Sequence, residues 1–450
     1  MRTRTRVLAV VGAAAAVGIG AFASTAASQT ARSAADDPNN ASLTYWYWGE
    51  DDAPGANGWI KQEVALYEKA HPKVKITVVT QSTDTLTSAF TTAAQTKSGP
   101  DIATQWATLP VLTPAWNGAS VPISDYVPAS ETKNWIGTSE NMSGGKLWAM
   151  PQYLLGIPFV WNKAMFKKAG LDPSKGPRTW AELLADAKKL KAAGFTPFGM
   201  GNKDGYGGAW FFSLIGKQNL NSIDELKDVV IGKAKFSDPK YSGFYQALAD
   251  LRKNGYLNSD VASISFTQGL QLFGQKKVAM SWITDGNAAA AAKALGGAKG
   301  MGVGPIPVWG KGKLATSYDT TQSSSAFITK WSKHPRAAAQ FLTFLHSPQA
   351  LKAWYAATGV FPADKRFPAS LVKNPIAKQL LKFDQSPVSV WPENFVPPQV
   401  DQNADLAGGE MITAGSGTPA DVVKLWQTQL KQWKSQHPDE YKSYSKWASG

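Results

Sequence analysis

Strands and helices alternate through the first part of this chain, and their order restricts the fold more than any other feature. The sequence predicts strands over 42–48, 74–80 and 101–106, with helices over 59–70 and 83–96 between them. A β-α-β-α-β order requires parallel strands joined by crossover helices. We therefore expect an α/β fold whose ligand lies beyond the carboxyl ends of these strands.

A second α/β unit follows. Strands are predicted over 156–162, 195–199, 277–283 and 302–307, and helices over 164–169, 179–193, 243–254 and 267–274. Thr179 precedes Glu182 by three residues, the spacing of a capping box at a helix start. A further strand over 325–328, two helices over 335–345 and 348–358, and a mostly helical tail complete the prediction.

The N-terminal segment has the pattern of an export signal. Arg2, Arg4 and Arg6 precede an apolar run, and small residues follow it. This order is typical of a secretory signal peptide, which we expect to be removed to leave a mature start between residues 24 and 36. The alternative is an uncleaved membrane anchor, but the apolar run is shorter than the roughly 20 residues that span a bilayer.

The chain contains no cysteine among its 450 residues. Disulfides therefore cannot stabilise it, and burial in sizeable cores must do so. Its length suffices for two domains. A bacterial lipoprotein needs a cysteine at its cleavage site, so we expect an exported protein, extracellular or associated with the cell envelope, that is not a lipoprotein.

The formal net charge is +14, and removal of the first 35 residues would lower it to about +10. Nucleic acid is the usual partner to test for such a charge. Here the basic residues are scattered along predicted helices without a basic run. We interpret them as solvated helix faces and expect no nucleic-acid partner; a site for a polyanion is the alternative.

Motifs that would indicate catalysis or metal binding do not occur. The four histidines lie at predicted helix boundaries, which favours the protein surface. They have no metal-ligand spacing, and neither a nucleophile elbow nor a phosphate-binding loop is present. The acidic turn Glu50-Asp51-Asp52 could supply the carboxylate pair of a glycosidase. Hydrogen bonding to solvent or ligand is the interpretation that we prefer.

Three consecutive motifs resemble one known family. They are GKLWAMP at residues 145–151, FVWNKAMF at 159–166 and PRTWAELL at 177–184. Weaker matches follow in order, at residues 273–280, 304–307, 334–342 and 358–363. Together they resemble the signature of family 1 extracellular solute-binding proteins. Many members of that family have a tryptophan shortly after a glycine that corresponds to Gly286, which this chain lacks.

The resemblance implies a two-lobed, type II periplasmic-binding-protein-like fold with three hinge crossings and a ligand cleft between the lobes. The crossings are expected near residues 149–152, 305–308 and 361–362. Lobe 1 would comprise residues 36–150 and 307–361, and lobe 2 residues 151–306 and 362–450, after a signal peptide and linker start over 1–35. The implied function is capture of a sugar and its delivery to the permease of an ABC transporter, by a monomer without enzymatic activity, cofactor or metal.

A sugar needs flat aromatic surfaces for its C–H faces and polar groups for its hydroxyls. The 18 tryptophans, many of them beside polar residues, suit such a ligand. Candidate ligand-binding residues at predicted strand ends and loops are Trp48, Glu50, Asp51, Gln105, Trp106, Gln152, Tyr153, Asn202, Asp204, Tyr206, Trp210, Trp282, Asp285, Tyr318, Asp319, Trp391 and Glu393. Packing in a core is the alternative for each aromatic residue. A secreted glycosidase, or a binding protein for a phosphorylated polyol or peptide, are the alternative functions.

Overall fold

The computed structural model describes residues 36–316, 320–384 and 391–449. The predicted signal peptide and the candidate residues Tyr318 and Asp319 lie outside these residues. The strands are β1 (Ala41–Tyr47), β2 (Val74–Thr80), β3 (Ile102–Trp106), β4 (Ser120–Val121), β5 (Met142–Ser143), β6 (Lys146–Leu147), β7 (Met150–Pro151), β8 (Leu154–Gly156), β9 (Phe159–Asn162), β10 (Met280–Trp282), β11 (Met301–Gly304), β12 (Thr320–Gln322) and β13 (Ser324–Thr329).

The α-helices are α1 (Ala56–Ala70), α2 (Leu86–Thr96), α3 (Leu109–Trp116), α4 (Ala129–Thr132), α5 (Lys163–Lys168), α6 (Trp180–Ala192), α7 (Tyr206–Leu214), α8 (Asp224–Ile231), α9 (Pro239–Ser242), α10 (Phe244–Lys253), α11 (Phe266–Gln271), α12 (Asp285–Leu295), α13 (Pro335–Leu345), α14 (Pro348–Thr358), α15 (Pro375–Asp384), α16 (Pro398–Val400), α17 (Ala407–Ala414), α18 (Pro419–Gln436) and α19 (Pro438–Ser449). A π-helical turn at Asp401–Leu406 joins α16 to α17. None of these helices is long and apolar enough to span a membrane.

The first sheet forms the centre of lobe 1. Its strand order is β2-β1-β3-β13-β4, with β7 also paired to β13. β1 lies parallel to both β2 and β3, as the alternating pattern predicts, and β13 is antiparallel to its neighbours. Tyr45, Ile76 and Ile102 point from these strands into a core that Phe341 of α13 and Trp354 of α14 complete.

Lobe 2 is larger and mostly helical. Its central sheet has only three antiparallel strands, in the order β10-β9-β11. Phe159 and Phe211 lie in its core with Trp426 from the C-terminal part of the chain. The capping box at the start of α6 is confirmed, because Thr179 and Glu182 exchange hydrogen bonds between side chain and backbone.

Two strand predictions in lobe 2 need correction. Residues 195–199 do not form a strand; Phe198 makes single bridges to Leu257 and Met280. Pro197 has no N–H for a ladder of hydrogen bonds, which explains the interruption. The strand predicted over 302–307 ends at Gly304 for the same reason, since Pro305 follows.

The chain passes between the lobes at adjacent points. β7 pairs with β13 in lobe 1, and β8 next to it pairs with β12. The third passage lies alongside, where Leu154 N–H donates to the carbonyl of Phe361 at 2.9 Å. The second passage remains a prediction near residue 307. Just beyond it, residues 310–314 hydrogen-bond to the segment that follows α7; Gly312 N–H, for example, donates to the carbonyl of Gln218 at 2.8 Å.

His346 lies between two of these passages and not on the surface, so the sequence interpretation of this histidine was wrong. It is only 2 % exposed. Its Nε2 is 2.9 Å from the carbonyl oxygen of Pro151, and its Nδ1 is 2.9 Å from Oδ2 of Asp364. The ring of Trp135 packs against the imidazole of His346, and a position at a helix end in the sequence gives no sign of this contact. His346 therefore ties the first passage to the segment that follows the third.

Candidate functional site

The turn after β1 delivers aromatic and acidic side chains to the carboxyl edge of the first sheet. Trp48 Nε1–H donates to Oγ1 of Thr83 at 3.0 Å. The Thr83 hydroxyl in turn donates to Oδ2 of Asp51. This chain of hydrogen bonds fixes the indole of Trp48 against the end of β2. The ligand edge expected from parallel topology therefore carries an oriented tryptophan.

Trp106, the last residue of β3, connects the two lobes. Its ring meets Trp48 edge to face, with centroids 5.8 Å apart at 89°. On its other side it meets Tyr206 of α7 in lobe 2, with centroids 5.7 Å apart at 71°. Such edge-to-face pairs are favourable beyond the area they bury. Trp106 is thus in contact with aromatic residues of both lobes.

The lobe 2 wall of the cleft comes from α7 and the loop after α15. Tyr206 and Trp210 are four residues apart and share one face of α7. Trp210 packs against Phe266, with centroids 4.5 Å apart, and against Trp391, at 5.4 Å. Gly208 on the opposite side allows α7 to approach α17, because a Cβ there would lie 2.5 Å from Cα of Gly409.

These residues enclose a narrow cavity between the lobes, with a volume of about 40 Å³. Its lining consists of Trp48, Asp51, Asp52, Thr83, Trp106, Leu155, Tyr206, Trp210, Phe266, Ser323, Trp391, Glu393 and Asn394. Ligand pockets usually enclose about 300–1,000 Å³. The lobes must therefore separate before a ligand of ordinary size can enter.

A second space adjoins the first and also has a volume of about 40 Å³. It shares Trp106, Tyr206, Glu393 and Asn394 with the first and adds Asp401, among other residues. A larger cavity of about 860 Å³ lies elsewhere, between residues such as Tyr126 and Arg336. A ligand there would not touch the cleft aromatics, so we do not assign the site to it.

Buried carboxyl groups are the second feature of the cleft. Asp52 is 5 % exposed, and its Oδ2 accepts hydrogen bonds from Ser323 at 2.5 Å and Tyr153 at 3.4 Å. Burial raises the pKa of Asp52 to about 7 despite these donors. Burial, followed by the nearby charge of Asp405, raises the pKa of Glu393 to about 8. Both groups therefore hold their protons more strongly than an exposed acid does.

Four other candidates in or near lobe 1 have structural partners. Glu50 accepts backbone hydrogen bonds from Gly55 at 2.9 Å and Asn57 at 2.8 Å, at the start of α1. Gln105 donates to the carbonyl of Leu86 at 3.0 Å. Gln152 accepts from Ser324 at 2.6 Å, and the ring of Tyr153 stacks on Trp354. None of these four candidates lines the cavity between the lobes.

Four candidates in lobe 2 are also held in its interior or by its backbone. The members of this set do not line the cleft. Asn202 accepts a hydrogen bond from Gly208 N–H at 2.7 Å, and Asp204 accepts one from Phe266 N–H at 3.0 Å. The ring of Trp282 packs on Phe198, with centroids 4.6 Å apart. Asp285 accepts a hydrogen bond from Gly156 N–H at 3.1 Å. Burial, then the charge of Asp384, raises the pKa of Asp285 well above its usual value.

The structure thus brings together seven of the candidates from both lobes: Trp48, Asp51, Trp106, Tyr206, Trp210, Trp391 and Glu393. It adds residues that the sequence reasoning did not select. Asp52 and Asn394 adjoin selected residues, and Thr83 follows a predicted strand, so position alone could have found them. Phe266 is the first residue of α11, far in sequence from the selected residues, and no sequence feature marked it as a site residue. In the described part of the chain no cluster of His, Cys, Asp and Glu could hold a metal ion.

Comparisons with known proteins agree with this architecture. The family model described as bacterial extracellular solute-binding protein matches residues 52–352, about two thirds of the chain. The sn-glycerol-3-phosphate-binding periplasmic protein UgpB of Yersinia pestis is 29 % identical over 236 residues, 48 % of this chain and 49 % of that protein. This chain therefore matches about half the length of that relative.

A second relative is an uncharacterised ABC transporter extracellular-binding protein of Pyrococcus horikoshii. It is 25 % identical over 327 residues, 69 % of this chain and 71 % of that protein.

Solved structures share the fold. One, from work on xylan utilisation by Caldanaerobius polysaccharolyticus, has a TM-score of 0.74 at 22 % identity and covers 86 % of this chain and 99 % of its own. A chitin oligosaccharide binding protein has a TM-score of 0.76 at 17 % identity, and the match covers 92 % of this chain and 100 % of that protein's chain. At such identities the likeness shows a two-lobed type II binding-protein fold. The family match shows more: this chain belongs to the bacterial extracellular solute-binding proteins.

Proposed function

We propose that this protein captures a sugar or oligosaccharide between its lobes and delivers it to the permease subunits of an ABC transporter. The observation that carries the proposal is the cleft itself. Trp48 and Trp106 from lobe 1 face Tyr206, Trp210 and Trp391 from lobe 2 around one space. Aromatic faces combined with carboxyl and amide groups match the C–H faces and hydroxyls of a sugar.

A ligand that touches both lobes favours the closed arrangement, since it gains contacts there that the open arrangement lacks. The narrow cleft of this structure corresponds to that closed arrangement. The passages at β7–β8 and at Phe361 supply the hinge. The closed, loaded form then docks on the permease. In this proposal the protein acts as a monomer and needs no cofactor.

The named substrate of one relative is a phosphorylated polyol. A phosphate group calls for arginine, lysine or a helix N-terminus. Among the described residues, neither cleft space has a lysine, arginine or histidine in its lining. The chitin oligosaccharide binding protein and the structure from xylan utilisation are the better guides to ligand class.

A secreted glycosidase is the alternative from another class. It would place two carboxyl groups on either side of the scissile bond and release shorter products. In our proposal the cleft performs no chemistry. We propose further that the protein is exported with its signal peptide removed and that it is not a lipoprotein.

A thermal-shift screen against mono- and oligosaccharides tests the proposal, with sn-glycerol 3-phosphate in the same plate. A ligand at 100 times its dissociation constant stabilises the folded protein by about 2.7 kcal/mol. We expect at least one saccharide to raise the Tm and glycerol phosphate to leave it unchanged. Chromatography of the bound saccharide should show that it remains uncleaved. A shift with glycerol phosphate alone, or cleavage of the saccharide, would contradict the proposal.

A further inference from the structure

The cleft collects acidic side chains, although the protein as a whole is basic. The chain has a formal net charge of +14. Asp51, Asp52 and Glu393 nevertheless line the cavity between the lobes, and Asp401 lines the adjoining space. No basic side chain of the described residues lines either space. Carboxyl groups gathered at a binding site favour a ligand that carries a positive charge.

Some of these acids have carboxylate oxygens that receive no hydrogen bond from the described residues. Of the two carboxylate oxygens of Asp52, Oδ2 receives the hydrogen bonds from Ser323 and Tyr153. Among the described residues no donor to Oδ1 is found, and Asp52 lines the cavity between the lobes. Oε2 of Glu393 is buried and also has no hydrogen-bond partner within the described residues. A buried acceptor without a donor is unfavourable, so a donor from the ligand would be stabilising.

The π-helical turn carries Asp401 and a further acid, Asp405, near Glu393. Asp405 is fully buried, and its Oδ1 accepts a hydrogen bond from Tyr245 at 2.8 Å. Two further oxygens, Oδ2 of Asp405 and Oδ1 of Asp401, are buried and have no hydrogen-bond partner in the described part of the chain. The charge of Asp405 acts on both Glu393 and Asp401. Carboxyl groups are therefore concentrated on this wall, and no lysine or arginine of the described residues lines the cleft beside them.

The aromatic residues suit the same kind of ligand. A cation within about 6 Å of an indole or phenol face is attracted by the ring quadrupole, and this attraction increases when water is excluded. Trp48, Trp106, Tyr206, Trp210 and Trp391 all line the space that Asp52 and Glu393 also line. Carboxylates combined with aromatic rings form an arrangement that recognises an ammonium group attached to an apolar frame.

We propose that the ligand is an amino sugar, a carbohydrate that carries a protonated amine. This inference rests on the proposed function and adds the substrate class. The ammonium group donates to the free oxygens of Glu393 and Asp52, and the sugar ring lies against Trp106 and Tyr206. Three donors on one charged nitrogen satisfy acceptors that a neutral hydroxyl, with a single proton, satisfies less well.

Proton linkage supports this proposal. Burial raises the pKa of Asp52 to about 7 and, with the charge of Asp405, that of Glu393 to about 8. Near neutral pH part of each group is therefore protonated in the free protein. An ammonium group favours the ionised carboxylates, so its binding should release protons. A neutral sugar should release far fewer.

Matched saccharides test the proposal. The probes are glucosamine and galactosamine, short glucosamine oligomers, and the N-acetylated form of each, which has the same ring without the charge. Isothermal titration calorimetry at pH 7, in two buffers of different ionisation enthalpy, gives affinity and proton release together. We expect at least one amine form to bind about tenfold or more tightly than its acetylated partner, with net proton release, a preference of the size that a charge-assisted hydrogen bond provides.

Two variants locate the effect. Glu393→Gln should reduce the preference for the amine by about tenfold, since it keeps the shape and removes the charge. Glu410→Gln, on the exposed side of α17, should leave the preference unchanged. Should Glu393→Gln fail to fold, the wild-type ratio of amine to acetylated sugar still decides the question.

Other outcomes separate this inference from the proposed function. Equal or tighter binding of the acetylated sugars would overturn the amine proposal and leave sugar capture intact. Binding of neutral gluco- or xylo-oligosaccharides only, in the thermal-shift screen, would have the same meaning. If no saccharide of any kind bound to the folded protein, both the amine proposal and sugar capture would be rejected.

Discussion

Trp106 of lobe 1 meets Tyr206 of lobe 2 edge to face, with ring centroids 5.7 Å apart. Trp106 ends β3 and Tyr206 begins α7, so this contact joins the carboxyl edge of one lobe's sheet to a helix of the other. Trp116 of α3 makes a second aromatic contact between the lobes, edge to face with Tyr444 and tilted against Trp447 of α19. Separation of the lobes must break both contacts, and a ligand in the cleft would replace the first.

Removal of the Trp106 side chain should weaken saccharide binding. The indole offers an apolar face to the ligand, and burial of such a side chain contributes about 1.5–3 kcal/mol. Trp106→Ala should therefore raise the Kd by about 10- to 100-fold, measured by calorimetry. Trp331→Ala is the matched control, since Trp331 lies after β13 and packs on Phe90. An equal loss of affinity in both variants would show that general destabilisation is the cause.

Glu50 and Asp51 should behave differently although they are neighbours. Glu50 accepts two backbone hydrogen bonds at the start of α1, as a helix cap does. Glu50→Ala should lower the free energy of unfolding by about 0.5–2 kcal/mol and leave the Kd unchanged. Asp51→Asn should weaken binding, since it disturbs the hydrogen-bonded chain that orients Trp48. The reverse pattern in urea unfolding and calorimetry would place Glu50 at the ligand.

The stability of the ligand-free protein should fall between pH 5 and pH 8. Burial raises the pKa values of Asp52 and Asp405 to about 7 and, together with the charge of Asp405, that of Glu393 to about 8. The unfolded chain loses these protons near pH 4, so the folded state binds more protons across this interval. Stability therefore decreases as the pH rises. Asp364 does not contribute here: burial opposes ionisation, but hydrogen bonds from Arg366 and His346 lower its pKa to about 2.

Thermal unfolding between pH 5 and pH 8 measures this dependence. Glu393→Gln should flatten the curve, because glutamine has no proton to exchange over this interval. A Tm that rises steadily toward pH 8 in the wild-type protein would show that these acids are ionised without cost in the folded state.

His346 should be important for the hinge. It contacts Pro151 in the first passage and Asp364 after the third. His346→Ala removes this link between the two segments, although Asp364 keeps its hydrogen bonds from Arg366. The loss of a buried hydrogen bond costs about 1–3 kcal/mol. We expect a lower Tm for this variant, measured by calorimetry, and no change for His437→Ala at an exposed helix end. Equal Tm values for the two variants would remove His346 from the account of the hinge.

Local patterns identified much of the fold. Regular alternation found β1, β2 and β3 with their helices, and spacing found the capping box at Thr179. The strands of lobe 2 were harder to predict, because prolines such as Pro197 and Pro305 interrupt the hydrogen-bond ladders within apolar runs. The same reasoning located Trp48 and Trp106, since parallel strands place their ends together. It could not distinguish Trp210 at the cleft from Trp282 in the core, because local sequence does not show which of the two faces the other lobe and only tertiary packing separates them.

Small-angle X-ray scattering with and without a saturating saccharide tests hinge capture most directly. A space of about 40 Å³ between the lobes is too small for a sugar, so ligand entry requires an open form. We predict that the free protein has a larger radius of gyration than the saturated one. We also predict that the saturated protein's scattering curve matches the closed structure. A saccharide that binds uncleaved at the cleft and leaves the radius of gyration unchanged would contradict capture by hinge closure.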